Sequence, residues 1–499
     1  MKRLLSFLLC IPLTAALFSC ASASGPSGTD DAVSEPDPSV PDAEDTSSFD
    51  TTIYYEPDEL PDHLDFGGEK FTILAVSDSN FKYDILTDEL NSDPVNDSVF
   101  NREKYVEDRL GLDIDQVRTP YSNYNEKVAK QHASGDNDYQ LFAESTVWFV
   151  DCVFDGYLTD LYEVDYLDFS KPWWSDLFID EAEIEGHLFL VTGSLSLSTH
   201  RFIYTIFYNK KLADDYSASF PDLADLYGIV DRGEWTIDRL KSLSESIYED
   251  LNGDSERDEN DLYGLCMLGD HGPDAVWSSF DLNILGKDDD GWFSPDVNQD
   301  KIFKAFDIMV EIYHKTKGTV NPYAFETAER MFAGGTLLFT EGTLRSAESA
   351  ALRNMQDEYG LVPFPKFDEN QKEYYSGAHD QYVSFSIPQT NPDPDTAGAV
   401  LEAMASYAYR NTVPQYLDIM LKGRYMSDAH SRRMVDLIVK GFRIDAGWIY
   451  SRLTGLFPQE FRTAVCINSN NFASTYAKTF RMMKITVNDL KNRYFNTWN

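Results

Sequence analysis

Phe71-Thr72-Ile73-Leu74-Ala75-Val76, followed at once by Ser77-Asp78-Ser79-Asn80, is the stretch on which the fold turns. Six apolar or β-branched residues stopped by four polar ones read as a short buried strand running into a loop. Asn96 to Leu110 then places Val99, Val106 and Leu110 among charges, a helical spacing, with Gly111 positioned to end it. Asp138-Tyr139-Gln140-Leu141-Phe142-Ala143 is a second strand leading into Glu144-Ser145-Thr146. Phe202 to Tyr208, Thr336 to Phe339, Gly360 to Val362 and Val383 to Ile387 continue the series. Strands alternating with helices predict an α/β protein with mostly parallel sheets. In such sheets ligands sit beyond the carboxyl ends of the strands, which directs attention to the loops just named.

The chain around this core is organised by composition. Lys2 and Arg3 precede an apolar run from Leu4 to Leu17 that ends in Leu17-Phe18-Ser19-Cys20. The run is too short for a comfortable membrane span, and the order is that of an export signal. It resembles the lipobox of bacterial lipoproteins, which implies cleavage after residue 19 and lipid on Cys20; the alternative is an ordinary secretory signal with an incidental cysteine. Residues 20–65 are rich in Ser, Pro, Gly, Asp and Glu, and Lys70 is the first basic residue after Arg3. Such a segment buries too little apolar surface to offset its ordering entropy, so a disordered acidic spacer is expected. The body from Phe66 to Asn499 is long for one domain and fits two lobes.

A formal net charge of −42, from 84 acidic and 42 basic residues, argues against binding nucleic acid. Cys152, Cys266 and Cys466 are odd in number and far apart, so no disulfide framework is implied. One loop has its own chemistry. Asp250, Asn252, Asp254, Asp258 and Asp261 stand at loop positions one, three, five, nine and twelve, with Glu256 placed to offer its backbone carbonyl. That spacing wraps oxygens around a single Ca²⁺. Ser255 replaces the glycine of the sharp bend and Asp261 replaces the longer bidentate Glu, so weak structural calcium is expected, with a solvated acidic loop as the alternative.

Several ordered motifs together resemble one family. The strand Phe71–Val76 is followed by Asn96-Asp97-Ser98 and Gly111-Leu112-Asp113-Ile114, and Asp138–Phe142 leads to Gly156-Tyr157-Leu158-Thr159-Asp160-Leu161. Tyr208-Asn209-Lys210-Lys211-Leu212, Gly233-Glu234-Trp235-Thr236-Ile237-Asp238-Arg239-Leu240, Phe332–Phe339 and Tyr359–Lys366 come next. This order resembles the extracellular solute-binding proteins of ABC importers, in the carbohydrate class that includes maltose-binding protein. The resemblance implies a two-lobed periplasmic-binding-protein-like fold with a hinge and an interlobe cleft. By analogy lobe 1 takes 66–200 and 360–412, and lobe 2 takes 201–359 and 413–499. It also implies a monomeric receptor at the outer face of the cell membrane that hands its solute to permease subunits without chemical turnover.

Sugars present apolar C–H faces and hydroxyl edges, so their sites need aromatic platforms with carboxylates and amides. The candidates are Asp78 after the first strand, Glu144 and Trp148 after the second, Trp277 in a Gly-Pro-rich stretch, Glu341 near Phe339, and His379, Asp380 and Tyr382 before a later strand. Gly342-Thr343 stands where many family members keep an aromatic. Two other classes compete: a secreted carbohydrate-active hydrolase using two carboxylates, and a calcium-stabilised surface adhesin. No Gly-x-Ser-x-Gly elbow, His-Glu-x-x-His helix or phosphate-binding loop favours an enzyme.

Overall fold

The computed structural model describes residues 56–379, 382–425 and 428–498. The signal, Cys20, the spacer up to residue 55, and Asp380 lie outside the described residues. In chain order the strands are β1 (Glu69–Val76), β2 (Leu112–Thr119), β3 (Leu141–Ser145), β4 (Tyr204–Asn209), β5 (Tyr248–Glu249) and β6 (Leu262–Cys266). They continue as β7 (Leu285–Lys287), β8 (Phe293–Pro295), β9 (Thr319–Val320), β10 (Leu337–Thr343), β11 (Tyr359–Pro363) and β12 (Val383–Ser386).

The first lobe is built on the sheet β12-β3-β1-β2, in which β1 runs parallel to both β2 and β3, and β12 adds antiparallel to β3. Ile73, Leu74 and Ala75 expose no surface, as a central parallel strand covered on both faces requires. Helix α1 (Pro94–Leu110) starts where Asp93 Oδ1 accepts from Val95 N and Asn96 N, each at 3.0 Å. It stops at Gly111, whose φ of 62° is left-handed. The left-handed conformation favours glycine there, and a Cβ would fall 2.1 Å from Asp65 Oδ1, displacing that exposed carboxylate. Helices α2 (Tyr121–Ser134) and α3 (Thr146–Phe154) complete the early βαβ pattern.

The second lobe carries the sheet β11-β4-β10-β6-β5, with β9 beside β6. β10 and β9 are parallel to β6, but β4 is antiparallel to β10 and β11, and β5 is antiparallel to β6. Mostly parallel pairing therefore holds in the first lobe and fails in the second. The rule constrains strands joined by a crossover within one sheet, whereas β4 arrives directly from the other lobe. The second lobe's helix Ile237–Ser244 begins as expected at Thr236, whose side chain accepts from Arg239 N at 3.3 Å.

Three boundaries differ from expectation. Gly360 pairs with Tyr208 and Leu361 with Phe207, so the chain stays in the second sheet through Pro363 and returns to the first lobe afterwards. The C-terminal helix Phe472–Trp498 packs on β8 and also reaches α3, where Trp498 Nε1 donates to Val153 O at 3.2 Å. Residues 56–65, expected in the spacer, lie on the first lobe. Lys171 Nζ holds Glu56 at 2.9 Å and Glu59 at 2.6 Å, Arg109 donates to Leu60 O at 2.7 Å, and Leu60 is buried. Paired charge and the apolar side chains of Leu60 and Leu64 order this stretch, which composition alone assigns to solvent.

Two of the crossings between lobes lie side by side. Ile203 pairs antiparallel with Ala378, Tyr204 N donates to Gly377 O and His379 N donates to Phe202 O, both at 3.0 Å. Cys152, Cys266 and Cys466 are free thiols. Among the described residues, no helix is long and apolar enough to cross a membrane.

Candidate ligand-binding cleft

Above the paired crossings lies a cavity of about 570 Å³, within the range of sites that enclose small ligands. Each wall comes from a strand end. The first lobe supplies Ser79, Asn80 and Lys82 after β1. The second supplies Asp270 and His271 after β6, Tyr323 and Phe325 after β9, Thr343 at the end of β10, and Arg345, Ser346, Glu348 and Ser349 beyond it. The crossings contribute Arg201, Phe202 and His379 to the cavity. This is the strand-end location expected from the topology.

Arg201 organises the floor. It is 1% exposed, with Nε 2.8 Å from Glu348 Oε1, Nη2 2.9 Å from Glu348 Oε2, and Nη1 donating to Asn80 O at 2.6 Å. One side chain on the crossing thus ties the first-lobe loop to the second lobe. Burial opposes both charges, yet the pairing prevails: Glu348 is held below the usual carboxylate range and Arg201 is raised further. Tyr416, on the helical segment Gln415–Tyr425, also favours the charged form of Glu348.

A second polar group surrounds His271. Its Nε2 is 3.0 Å from Asp270, and Arg462 Nη1 lies 2.6 Å from both His271 Nδ1 and Asp274 Oδ2. Burial lowers the His271 pKa, but Asp274 outweighs it and the net shift is upward. His379 packs edge-on to His271, centroids 4.5 Å apart, and is pushed down to about 3, first by burial and then by that neighbour. The polar side chains of the cleft are accompanied by aromatic ones: Phe202, Phe325 and Tyr323, the last 75% exposed at the rim.

Of the expected site residues, His379 lines this cavity. Asp78 stands one residue away and caps the turn that carries Ser79, accepting from Asn80 N at 2.8 Å and Tyr121 OH at 2.9 Å. Glu144 and Glu341 are buried beneath the cleft instead of facing it, accepting from Ser145 N at 2.7 Å and Leu268 N at 3.0 Å. Burial pushes each carboxyl up to about 8. Trp277 is a core residue wedged between Phe457 and Phe461, because its short helix faces the helix Phe457–Cys466. Tyr382 is buried and accepts Thr146 N through its backbone carbonyl, and Trp148 lies under Arg452 at 3.7 Å; neither lines the main cavity. Arg201, Glu348, Lys82, Arg345 and Tyr323 were not expected; no local motif marks them, since the site is assembled from six separate segments.

The Asp250–Asp261 loop is wound on itself by its own hydrogen bonds. Asp250 accepts Gly253 N at 2.7 Å and Ser255 N at 3.0 Å, Asn252 accepts Asp254 N at 3.1 Å, and Asp254 accepts Glu256 N at 2.7 Å. Ser255 adopts the left-handed φ of 63° that the missing glycine would take. Its carboxylates are thus engaged with the loop itself, and among the described residues no three His, Cys, Asp or Glu side chains form a metal-binding group.

Two α/β lobes joined by paired crossings, with a ligand-sized cavity between them, define a hinged binding protein. The chain belongs to the bacterial extracellular solute-binding proteins, whose family pattern matches residues 97–411. Among solved structures, the chain is similar in fold to the GacH receptor of Streptomyces glaucescens, described with acarbose, at 14% identity and a TM-score of 0.55 over 85% of this chain and 99% of that one. It is also similar to the galacto-N-biose/lacto-N-biose I-binding protein of an ABC transporter from Bifidobacterium longum, at 12% identity and 0.56 over 86% and 99%. The maltose/maltodextrin-binding domain MalE of Bdellovibrio bacteriovorus, bound to maltotriose, gives 13% identity and 0.52 over 85% and 100%. No curated protein sequence matches the chain.

Proposed function

We propose that this protein is the receptor of an ABC importer, capturing an oligosaccharide in the interlobe cleft and delivering it unaltered to permease subunits. The observation that carries the reading is the cavity itself. Phe202, Tyr323 and Phe325 offer faces for pyranose C–H surfaces, while Asn80, Ser346, Ser349 and Glu329 offer edges for hydroxyls. The sugar ligands of the structural relatives support the same class. Lobe closure about the paired crossings would present a changed surface to the permease.

The reading includes export and anchoring: residues 1–19 serve as signal and Cys20 carries lipid, as the order Leu17-Phe18-Ser19-Cys20 supports. It also includes a structural Ca²⁺ in the Asp250–Asp261 loop, supported by the left-handed Ser255 and the inward-wound hydrogen bonds. Calorimetric titration against mono- and oligosaccharides, amino acids and peptides, with recovered ligand checked for cleavage, tests the main claim. Binding of intact oligosaccharide is expected; cleaved sugar, or binding of peptides alone, would overturn it. A Cys20→Ser protein should appear in the medium, and one still membrane-bound would refute the anchor.

A further inference from the structure

We infer that the saccharide held in this cleft carries an anionic group, a carboxylate or sulfate, seated between Lys82 of the first lobe and Arg345 of the second; this rests on the sugar-receptor reading. The chain as a whole bears a formal charge of −42, yet three cations meet at this cavity. Lys82 comes from the loop after β1, Arg201 from the crossing, and Arg345 from the turn after β10. Glu348 is the carboxylate among them, and Arg201 occupies both its oxygens at 2.8 and 2.9 Å.

Of the other acids of the wall, Asp270 lies 3.0 Å from His271, Glu329 is half-buried and feels the charge of Arg345, and Glu326 is exposed at the rim. Among the described residues, Lys82 and Arg345 find aromatic faces and no ion-pair partner: Lys82 Nζ is 4.2 Å from the Tyr83 ring centroid and the Arg345 guanidinium 5.8 Å from that of Phe202. Partial burial and then the repulsion of Arg201 lower the Lys82 pKa, with Arg345 adding a little, and Glu348 and Asp93 offset this only in part.

An anion between Lys82 and Arg345 would relieve this repulsion, and because the two belong to different lobes it would bind the closed arrangement better than the open one. The sugar ring would lie against Phe202, Tyr323 and Phe325, leaving its acidic substituent to the cations. Arg345, with its planar fork, suits a carboxylate or sulfate edge, and Lys82 acts as a point charge.

The test is a binding panel of matched oligosaccharides, each uronate-containing or sulfated member paired with its carboxyl-reduced or desulfated counterpart, run on the purified protein. The acidic member of the bound pair is expected to bind at least about tenfold more tightly, with a preference that shrinks as salt rises from 50 to 500 mM. Lys82→Met and Arg345→Met should each remove most of that preference and flatten its salt dependence. If the neutral member binds equally or better, the inference is overturned and the sugar-receptor reading survives. If no saccharide of either kind binds, both fall together.

Discussion

Arg201 and Glu348 form a two-pronged ion pair at the base of the cleft, and the same arginine reaches across to the backbone of Asn80 in the other lobe. The pair is therefore both a piece of the binding floor and a fastening between lobes.

Glu348→Ala would leave Arg201 charged, buried and without its carboxylate, a change that costs about 3–5 kcal/mol. Because Glu348 is held below its ordinary range, the stabilisation is fully present above the unfolded carboxylate pKa near 4.5 and is lost as pH falls through the lower folded value. Denaturant titrations at pH 7 and pH 3 check this. The gap between parent and variant should narrow in acid, and equal stability at pH 7 would remove the pair's structural role.

Glu341 behaves in the opposite sense. Burial raises it to about 8, so in the folded state it keeps a proton that the unfolded chain releases near 4.5. Its contribution to stability therefore declines as pH rises from about 4.5 to 8. Glu341→Gln, which fixes the neutral form, should gain on the parent by an amount on the order of a few kcal/mol between pH 5 and 8. Parallel melting curves for parent and variant across that range would contradict the assignment.

Tyr323 is the exposed aromatic of the rim, so Tyr323→Ala should change folding stability by no more than about 0.5 kcal/mol. If it stacks on the ligand, affinity for the bound saccharide should fall about two- to tenfold. Calorimetry separates the two effects; unchanged affinity would place the sugar elsewhere in the cavity.

Calcium should raise the melting temperature of the parent, and chelation should lower it again. Asp250→Asn combined with Asp254→Asn should abolish the response. Absence of any response in the parent would leave the loop as a self-bonded acidic turn.

What the sequence disclosed was local. β1, α1 with its Gly111 stop, and the Thr236 cap are each set by neighbouring residues, and each stands where the pattern placed it. The candidate site was assembled by long-range folding. Glu144 and Glu341 were expected in the loops after their strands, but both strands run further and take them into the sheet, Glu144 paired with Ser384 and Glu341 with Ile206. Trp277 pointed to a stacking surface by type alone, and the partner that buries it, Phe461, lies far along the chain. His379 was found because the crossing that carries it immediately precedes a recognisable strand. Arg201 neighbours such a strand too, but its meaning depends on Glu348, far downstream, and no spacing rule connects them.

The attachment of Glu56 and Glu59 to Lys171 has a mechanical consequence. Any pull transmitted through the chain upstream of Glu56 is borne by the first lobe, at Lys171 and Arg109, before it can reach the paired crossings. Under the proposed anchoring, load and motion would thereby be separated: the first lobe would take the strain of the tether, and the second would be left to move about the crossings.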